Sequence, residues 1–353
     1  MTKKRNVRLK DIAEIAGVSI PVVSVALSRN SNSTTKLTKE TAGRIQKIAS
    51  ELNYKPDIFG RSLRANKSFL IGILLYSVNS NIFGEFIRGV QKGFSESDYS
   101  PVFLTHATRD EQRRNLELCM SRKVDGLIFN TWIDEESGEI DNDFTKAILP
   151  AALPVVEVLG RNFPESIFVN IAFKESFYNM CVHLLESGYK KIAMISHEKY
   201  KLGADSGVFF DAWECFEGYE KAMVEHGLPV SVITHPLRKK ENSHSWADTI
   251  SGVIANRMEE GTLPDAVVCM HDEQAVGVLR ACREKGVRVP EDLALCCFTD
   301  SRVCQFSIPP LTTCRTSSFE FGLTASERLL QLIDNQAVSS KKIKAELILR
   351  ESC

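Results

Sequence analysis

Apolar positions follow a helical spacing over the first fifty residues and change to near-continuous runs after Phe69. Ile12, Ile15 and Ala16 share one face of the stretch Asp11–Ala16, which Gly17 ends. Ser19 is placed to cap a second helix, with Pro21 in its first turn and Val22, Val23, Ala26 and Leu27 on its apolar side. A polar loop follows from Arg29 to Lys36. Thr38 is placed to cap a third helix reaching about Glu51, with Ile45, Ile48, Ala49 and Leu52 inward, before Asn53-Tyr54-Lys55-Pro56 stops it. Three short helices, the first two joined by a tight glycine turn, match a helix-turn-helix module.

From Phe69 the texture is that of buried parallel strands alternating with helices. FLIGILLY, PVFLTHA, DGLIFNTW, PVVEVL, KIAMIS, VSVITH, DAVVCM and LALCCF are the strand candidates. Helices are predicted over Ile82–Glu96, Glu111–Arg122, Phe173–Glu186, Cys215–Glu225 and Glu273–Lys285. Six or more such units exceed one compact sheet, so the pattern predicts two doubly wound subdomains with a ligand cleft between them.

Charge sharpens this division. Residues 1–67 carry fourteen basic and five acidic side chains, a net +9, and the remainder carries thirty against forty, a net −10. A small basic module joined to an acidic body suggests a polyanionic partner for the first part, although a charged surface with no partner has the same composition. No apolar run reaches the roughly 18 residues of a membrane helix, and no apolar segment follows the basic start MTKKRNVRLKD as in a signal peptide. The ten cysteines fit no zinc template, so free, mostly buried thiols in a reducing cytoplasm are expected, with no metal and no cofactor.

The order of short motifs then becomes informative. Leu9-Lys10-Asp11-Ile12-Ala13-Glu14-Ile15-Ala16-Gly17-Val18-Ser19 with Val23-Ser24, Leu52-Asn53-Tyr54-Lys55-Pro56 and Arg61-Ser62-Leu63-Arg64 resemble the start of lactose-repressor (LacI/GalR) type regulators. Val124-Asp125-Gly126-Leu127-Ile128, Gly286-Val287-Arg288-Val289-Pro290-Glu291-Asp292, Pro309-Pro310-Leu311-Thr312-Thr313 and Leu349-Arg350-Glu351-Ser352 fit the regulatory body of the same family. The resemblance covers essentially the whole chain. It implies a small all-α helix-turn-helix headpiece at 1–56, a hinge helix at 57–67 and a periplasmic-binding-protein-like α/β core at 68–353. In that core, an N-subdomain of about 68–170 plus 316–337 and a C-subdomain of about 171–315 plus 338–353 are expected. The implied function is a dimeric regulator, a repressor in the commonest case. It would bind a pseudo-palindromic double-stranded DNA operator and respond to a small-molecule effector.

Site residues follow from that resemblance. At the start of the second helix, Ile20 and Pro21 are suited to a thymine methyl and Ser24 to a base or phosphate. Val25 lies at a family base-reading position, and Ser28 also lies off the apolar face. Packing against a neighbouring helix is the competing reading for Ile20 and Val25. Ser19, Asn30 and Thr38 suit helix capping, phosphate contact or both. Arg8 stands where a Ser or Thr cap is usual. Tyr54 completes the headpiece set. In the hinge, Leu63 matches the family's minor-groove wedge, Arg61 and Arg64 are expected at phosphates, and Gly60 weakens the helix by about 1 kcal/mol relative to alanine.

The effector site departs from the sugar-binding pattern. Tyr178 and Cys215 stand where arginines are common, His271-Asp272 replaces an Asn-Asp pair, and Thr299-Asp300 an Asp-Asp turn. Trp246 matches a stacking aromatic, with simple core packing as the alternative. Tyr76, Asn79 and Phe83 are expected to line the opposite lobe, and Trp132 to close the cleft. Asp272 and Asp300 are read first as helix caps. A nucleobase-like, modified-sugar or glycoside ligand, or no ligand, remains compatible. A transport-type sugar-binding protein or an enzyme on the same core are the competing functions. Neither explains residues 1–67, and no G-x-S-x-G, P-loop, H-E-x-x-H or G-x-G-x-x-G occurs.

Overall fold

Helix α1 (Leu9–Ala16) ends at Gly17, whose φ of 65° permits the left-handed turn into α2 (Ile20–Ala26). Its start is held by Asp11, whose carboxylate accepts the Arg8 backbone N–H at 2.7 Å. That is half of a capping box, so Asp11 supplies what the Arg8 side chain lacks. Helix α3 (Lys39–Glu51) begins as expected, with the Thr38 hydroxyl accepting from Thr41 N–H at 3.2 Å. Ile12, Ala13, Ala16, Val23, Ala26, Ile45 and Ala49 form the headpiece core. Ile15 is instead 60% exposed: Ala13, one turn below Ala16, takes the inward position. Two α3 side chains tie the ends of the other helices, Arg44 donating to Ala16 O at 3.0 Å and Gln46 to Ala26 O at 3.2 Å. The computed structural model describes residues 7–27, 37–54, 62, 65–76, 82–130, 152–160, 166–202, 210–236 and 246–353.

The body contains two six-stranded sheets. The first comprises β1 (Leu70–Tyr76), β2 (Ser100–His106), β3 (Gly126–Phe129), β4 (Val155–Val158), β5 (Ile167–Ile171) and β11 (Lys341–Ile343), in the order β11-β5-β4-β3-β1-β2 and all parallel. The second comprises β6 (Ile192–His197), β7 (Val232–His235), β8 (Ala266–Cys269), β9 (Ala294–Phe298), β10 (Thr312–Thr316) and β12 (Ala345–Ile348), in the order β12-β10-β9-β8-β6-β7. Only β12 is antiparallel to its neighbour. The assignment of all residues from 338 onward to the C-subdomain is corrected by β11, which pairs with β5 of the first sheet. The last crossover therefore follows Ile343.

Helices cover both sheets: α4 (Ile82–Phe94), α5 (Arg109–Ser121), α6 (Phe173–Glu186), α7 (Phe210–Glu225), α8 (Trp246–Glu259), α9 (Asp272–Lys285), the short α10 (Arg302–Phe306) and α11 (Ser318–Ile333). α4 and α11 approach unusually closely. A Cβ at Gly89 would collide with the Phe319 carbonyl, and one at Gly322 with the Phe86 carbonyl. Phe86, Val90 and Phe94 are buried in the first lobe's core, and Glu85, Arg88, Gln91 and Lys92 face outward. The chain leaves β5 and β11 for the second lobe, and β10 for the first, always from a strand's carboxyl end. Phe173, two residues beyond the end of β5, packs on Phe298, the last residue of β9, at 5.2 Å between ring centroids, so the carboxyl edges of the two sheets border the junction, where ligands of such sheets sit.

Candidate DNA interface and effector site

On α2, Val23 and Ala26 are buried, whereas Ser19, Ile20, Pro21 and Ser24 are exposed and Val25 is half-exposed. Ile20 is 45% exposed and lies outside the headpiece core. Val25 likewise lies outside the headpiece core. Ser19 occupies the N-cap position, yet its side chain makes no capping hydrogen bond. The expectation that it caps is therefore corrected, and its exposed hydroxyl stands beside the helix N-terminus. Tyr54 packs against the headpiece core and is half-buried, so its ring serves the fold. Ser28, Asn30, Arg61, Leu63 and Arg64 lie outside the described residues.

At the junction, the carboxyl ends of the strands present four histidines: His106, His197 and His235 are the last residues of β2, β6 and β7, and His271 follows two residues beyond β8. In the second lobe, Gln274 of α9 orders this edge. Its Oε1 accepts the backbone N–H of Met270 at 2.9 Å and of His271 at 3.3 Å. Its Nε2 is then turned to His235 Nε2, 3.0 Å away. That ring nitrogen accepts, so the His235 proton sits on Nδ1 and is donated to the Pro236 carbonyl at 2.9 Å. His197 Nδ1 in turn accepts the Lys199 N–H at 3.2 Å. Burial holds His197 down to about 4 and also lowers His235 and His271, so all three are neutral at pH 7.

Trp246, the first residue of α8, lies in this edge. Its ring stacks on His271 at 4.8 Å with 27° between planes, and tilts against His235 at 6.1 Å. Its backbone N–H donates to Glu273 Oε1 at 3.0 Å. The indole Nε1–H is buried and finds no acceptor among the described residues. The pure-core reading of Trp246 leaves that donor unexplained.

The first lobe has a related arrangement. Gln112 of α5 donates through Nε2 to the Asn130 carbonyl at 3.2 Å and to His106 Nε2 at 3.1 Å. The His106 proton is thereby placed on Nδ1, which is buried without a partner among the described residues. Burial lowers His106 to about 4. Tyr76 lies beside it, ring centroids 6.0 Å apart, with its backbone N–H donated to Asn130 Oδ1 at 2.6 Å.

Other expectations need correction. The Tyr178 hydroxyl donates to Glu225 Oε2 at 2.8 Å, and Lys221 lies 4.5 Å from its ring centre. Glu225 ends α7, so Tyr178 is committed to the α6–α7 flank and does not line the junction. Cys215, the second position that lacks an arginine, is buried in the second lobe's core. Phe83 is 7% exposed and packs edge-on against Phe86 at 6.3 Å, within the first lobe's core. Asp300 caps no helix: Ser301 caps α10, accepting from Val303 N–H at 3.1 Å. Asp300 instead receives Arg315 Nε on Oδ2 and Arg350 Nη2 on Oδ1, both at 2.5 Å. Asp272 accepts the neighbouring Glu273 N–H at 2.9 Å. Thr299 holds φ at 109°, a strained value for a β-branched residue, and its hydroxyl turns back onto the Phe298 carbonyl. Asn79 and Trp132 lie outside the described residues. Among the described residues no group of three or more His, Cys, Asp or Glu side chains is arranged to hold a metal ion.

Sequence reasoning missed Gln112, Gln274 and His106. A glutamine one turn into a helix carries no local signal of the histidine on a separate strand that it will orient.

Comparison with known proteins places this geometry in context. Residues 8–57 match the family model for bacterial regulatory proteins of the lacI family, and residues 182–353 that for a periplasmic binding protein-like domain. The chain is 30% identical over 354 residues to the HTH-type transcriptional repressor PurR of Haemophilus influenzae, covering 98% of each chain. Its fold is that of a lac repressor dimer crystallised with operator and the anti-inducer ONPF: TM-score 0.73, 22% identity, 99% of each chain covered. A transcriptional regulator CelR–cellobiose complex is similar at TM-score 0.67 and 21% identity, with 99% and 100% covered.

Proposed function

The chain belongs to the LacI family of bacterial regulatory proteins, and from that premise we propose a cytoplasmic homodimer that represses transcription at a pseudo-palindromic operator under the control of a small molecule. It is a DNA-binding transcriptional regulator with a ligand-binding core, not an enzyme. The observation that carries the reading is the exposed start of α2. There Ser19, Ile20, Pro21 and Ser24 stand clear of a core that buries Val23 and Ala26. A helix N-terminus of that kind enters a major groove with its first residues at base edges. Ile20 and Pro21 offer apolar contact to a thymine methyl, and Ser24 a hydroxyl to a base or phosphate. Arg61 and Arg64 meet phosphates, and Leu63 wedges the minor groove.

The effector sits at the junction. Trp246 supplies a flat face and an unfulfilled N–H donor, His106 a second such donor, and Tyr76, His271 and Thr299 border the same edges. The lac repressor and CelR structures hold small molecules, ONPF and cellobiose. A sugar-related or heterocyclic ring with acceptors at its rim suits these donors here.

Deletion tests the assignment. Removing residues 1–66 should leave a folded core without DNA affinity. The full chain should lose about a thousandfold in affinity between 50 and 200 mM salt if roughly six phosphates are contacted. A core that still binds the same DNA would overturn it.

A further inference from the structure

Two thiols of the second lobe lie in contact. Cys296 of β9 and Cys353 place their sulfurs 3.3 Å apart. Residues 350–353 are fastened along β9 and β10 by a dense set of bonds. Arg350 N–H donates to Thr312 Oγ1 at 2.9 Å, and Thr312 N–H to Ser352 Oγ at 2.9 Å. Leu295 N–H donates to the Ser352 carbonyl at 2.8 Å, and the Ser352 hydroxyl returns to Leu295 O. The sulfur pair is therefore held by backbone anchors one residue before each cysteine.

We propose that Cys353 and Cys296 form a redox site, in which a peroxide oxidises Cys353 and Cys296 resolves it to a disulfide. The two thiols differ as that division of labour requires. Cys353 is partly buried against the second lobe's core and retains some exposure, whereas Cys296 is fully buried. The Cys353 thiol is lowered to about 6, first by its contact with Cys296, then by the Thr312 hydroxyl and the nearby His183, against the upward push of burial. Cys296 is raised by its contact with Cys353 and by burial. A thiolate with access to solvent is the reactive form, and a buried neighbouring thiol resolves it.

The chemistry balances. The Cys353 thiolate attacks one oxygen of hydrogen peroxide, the O–O bond breaks, and Cys353 sulfenic acid and hydroxide form. Cys296 sulfur then attacks the sulfenic sulfur. The S–O bond breaks, and the departing hydroxyl leaves as water with the Cys296 proton. Overall, two thiols are oxidised to one disulfide and one peroxide is reduced to two waters. The sulfurs need approach only from 3.3 Å to about 2 Å. The bond also fixes the segment bearing Arg350, which grips Asp300 beside the junction. Cys297 and Cys304 form a second contact at 3.6 Å, but both are fully buried and serve as an internal comparison.

The test is oxidation of the full-length protein with a small excess of hydrogen peroxide, followed by thiol counting in denaturant and peptide mapping. The expected result is a fall from ten free thiols to eight, a mass loss of about 2 Da, and a Cys296–Cys353 linked peptide that dithiothreitol releases. Cys353→Ser should retain its thiols, as should Cys353→Ala. Cys296→Ser should instead accumulate a sulfenic acid at Cys353, trapped as one dimedone adduct. An unchanged count of ten, a link between Cys297 and Cys304, or equal oxidation of the Cys353 variants would overturn the proposal.

Discussion

The indole of Trp246 lies on the imidazole of His271, centroids 4.8 Å apart, although the two residues open different helices on either side of β8. The stack fixes one face of the indole and leaves its buried Nε1–H unspent. Such a donor favours a ligand that brings an acceptor. A thermal-shift screen of sugars, nucleosides and glycosides is expected to yield stabilising compounds. Trp246→Ala should weaken each of them tenfold or more, equivalent to about 1.4 kcal/mol. Unaltered affinity in the variant would remove Trp246 from the site.

Acid should destabilise the core through its histidines. His106 and His197 titrate near 6.5 when unfolded and near 4 when folded, because burial disfavours their charged forms. A depressed folded value means the unfolded chain takes up protons first as pH falls. The stability these groups contribute is thus complete above about pH 6.5 and lost between there and about pH 4. For His106 alone that loss is about 3 kcal/mol. Urea midpoints measured from pH 7.5 to 4.5 should fall, and more shallowly for His106→Gln. Parallel curves would show that His106 titrates normally in the folded protein.

Asp300 should be critical for stability. Its side chain is 1% exposed and both oxygens are engaged by arginines. Asp300→Asn leaves Arg350, itself only 14% exposed, without its carboxylate, at an expected cost of about 3 kcal/mol. Arg315 is half exposed, so Arg315→Ala should cost about 1 kcal/mol or less. Denaturant unfolding checks both, and equal small losses would refute the asymmetry.

These residues show where legibility stopped. The strand and helix order could be read because apolar runs and helical spacing are local properties, and the α6 boundaries at Phe173 and Glu186 emerged unaltered. β5 and α8 were not singled out: IFVNI is short, and Ser245 before Trp246, a residue type suited to capping a helix start, was passed over because it ends the polar run ENSHS. The lobe of β11 depends on pairing with β5 across 172 residues, as in the bond between Phe168 N–H and Ser340 Oγ. The Tyr178 and Phe83 expectations failed for a related reason. A helix position gives the face of a side chain only after its packing partner is known, and here α7 claims Tyr178 while α4's own Phe86 claims Phe83.

The hinge should separate specific from non-specific binding. Leu63→Ala is expected to leave the fold and non-specific affinity intact and to weaken operator binding by about tenfold or more, because a wedge acts only at a kinkable central step. Circular-permutation bending assays should show less curvature. Equal bending by variant and parent would exclude Leu63 as the wedge.

The most direct test is selection of bound sequences from random double-stranded DNA by the full-length protein, with sedimentation of the selected complex. The expected product is a two-fold symmetric site bound by a dimer of twice 39.5 kDa, lost when residues 1–66 are removed. Enrichment of no symmetric sequence, or equal recovery by the core alone, would contradict the assignment of this chain as an operator-binding regulator.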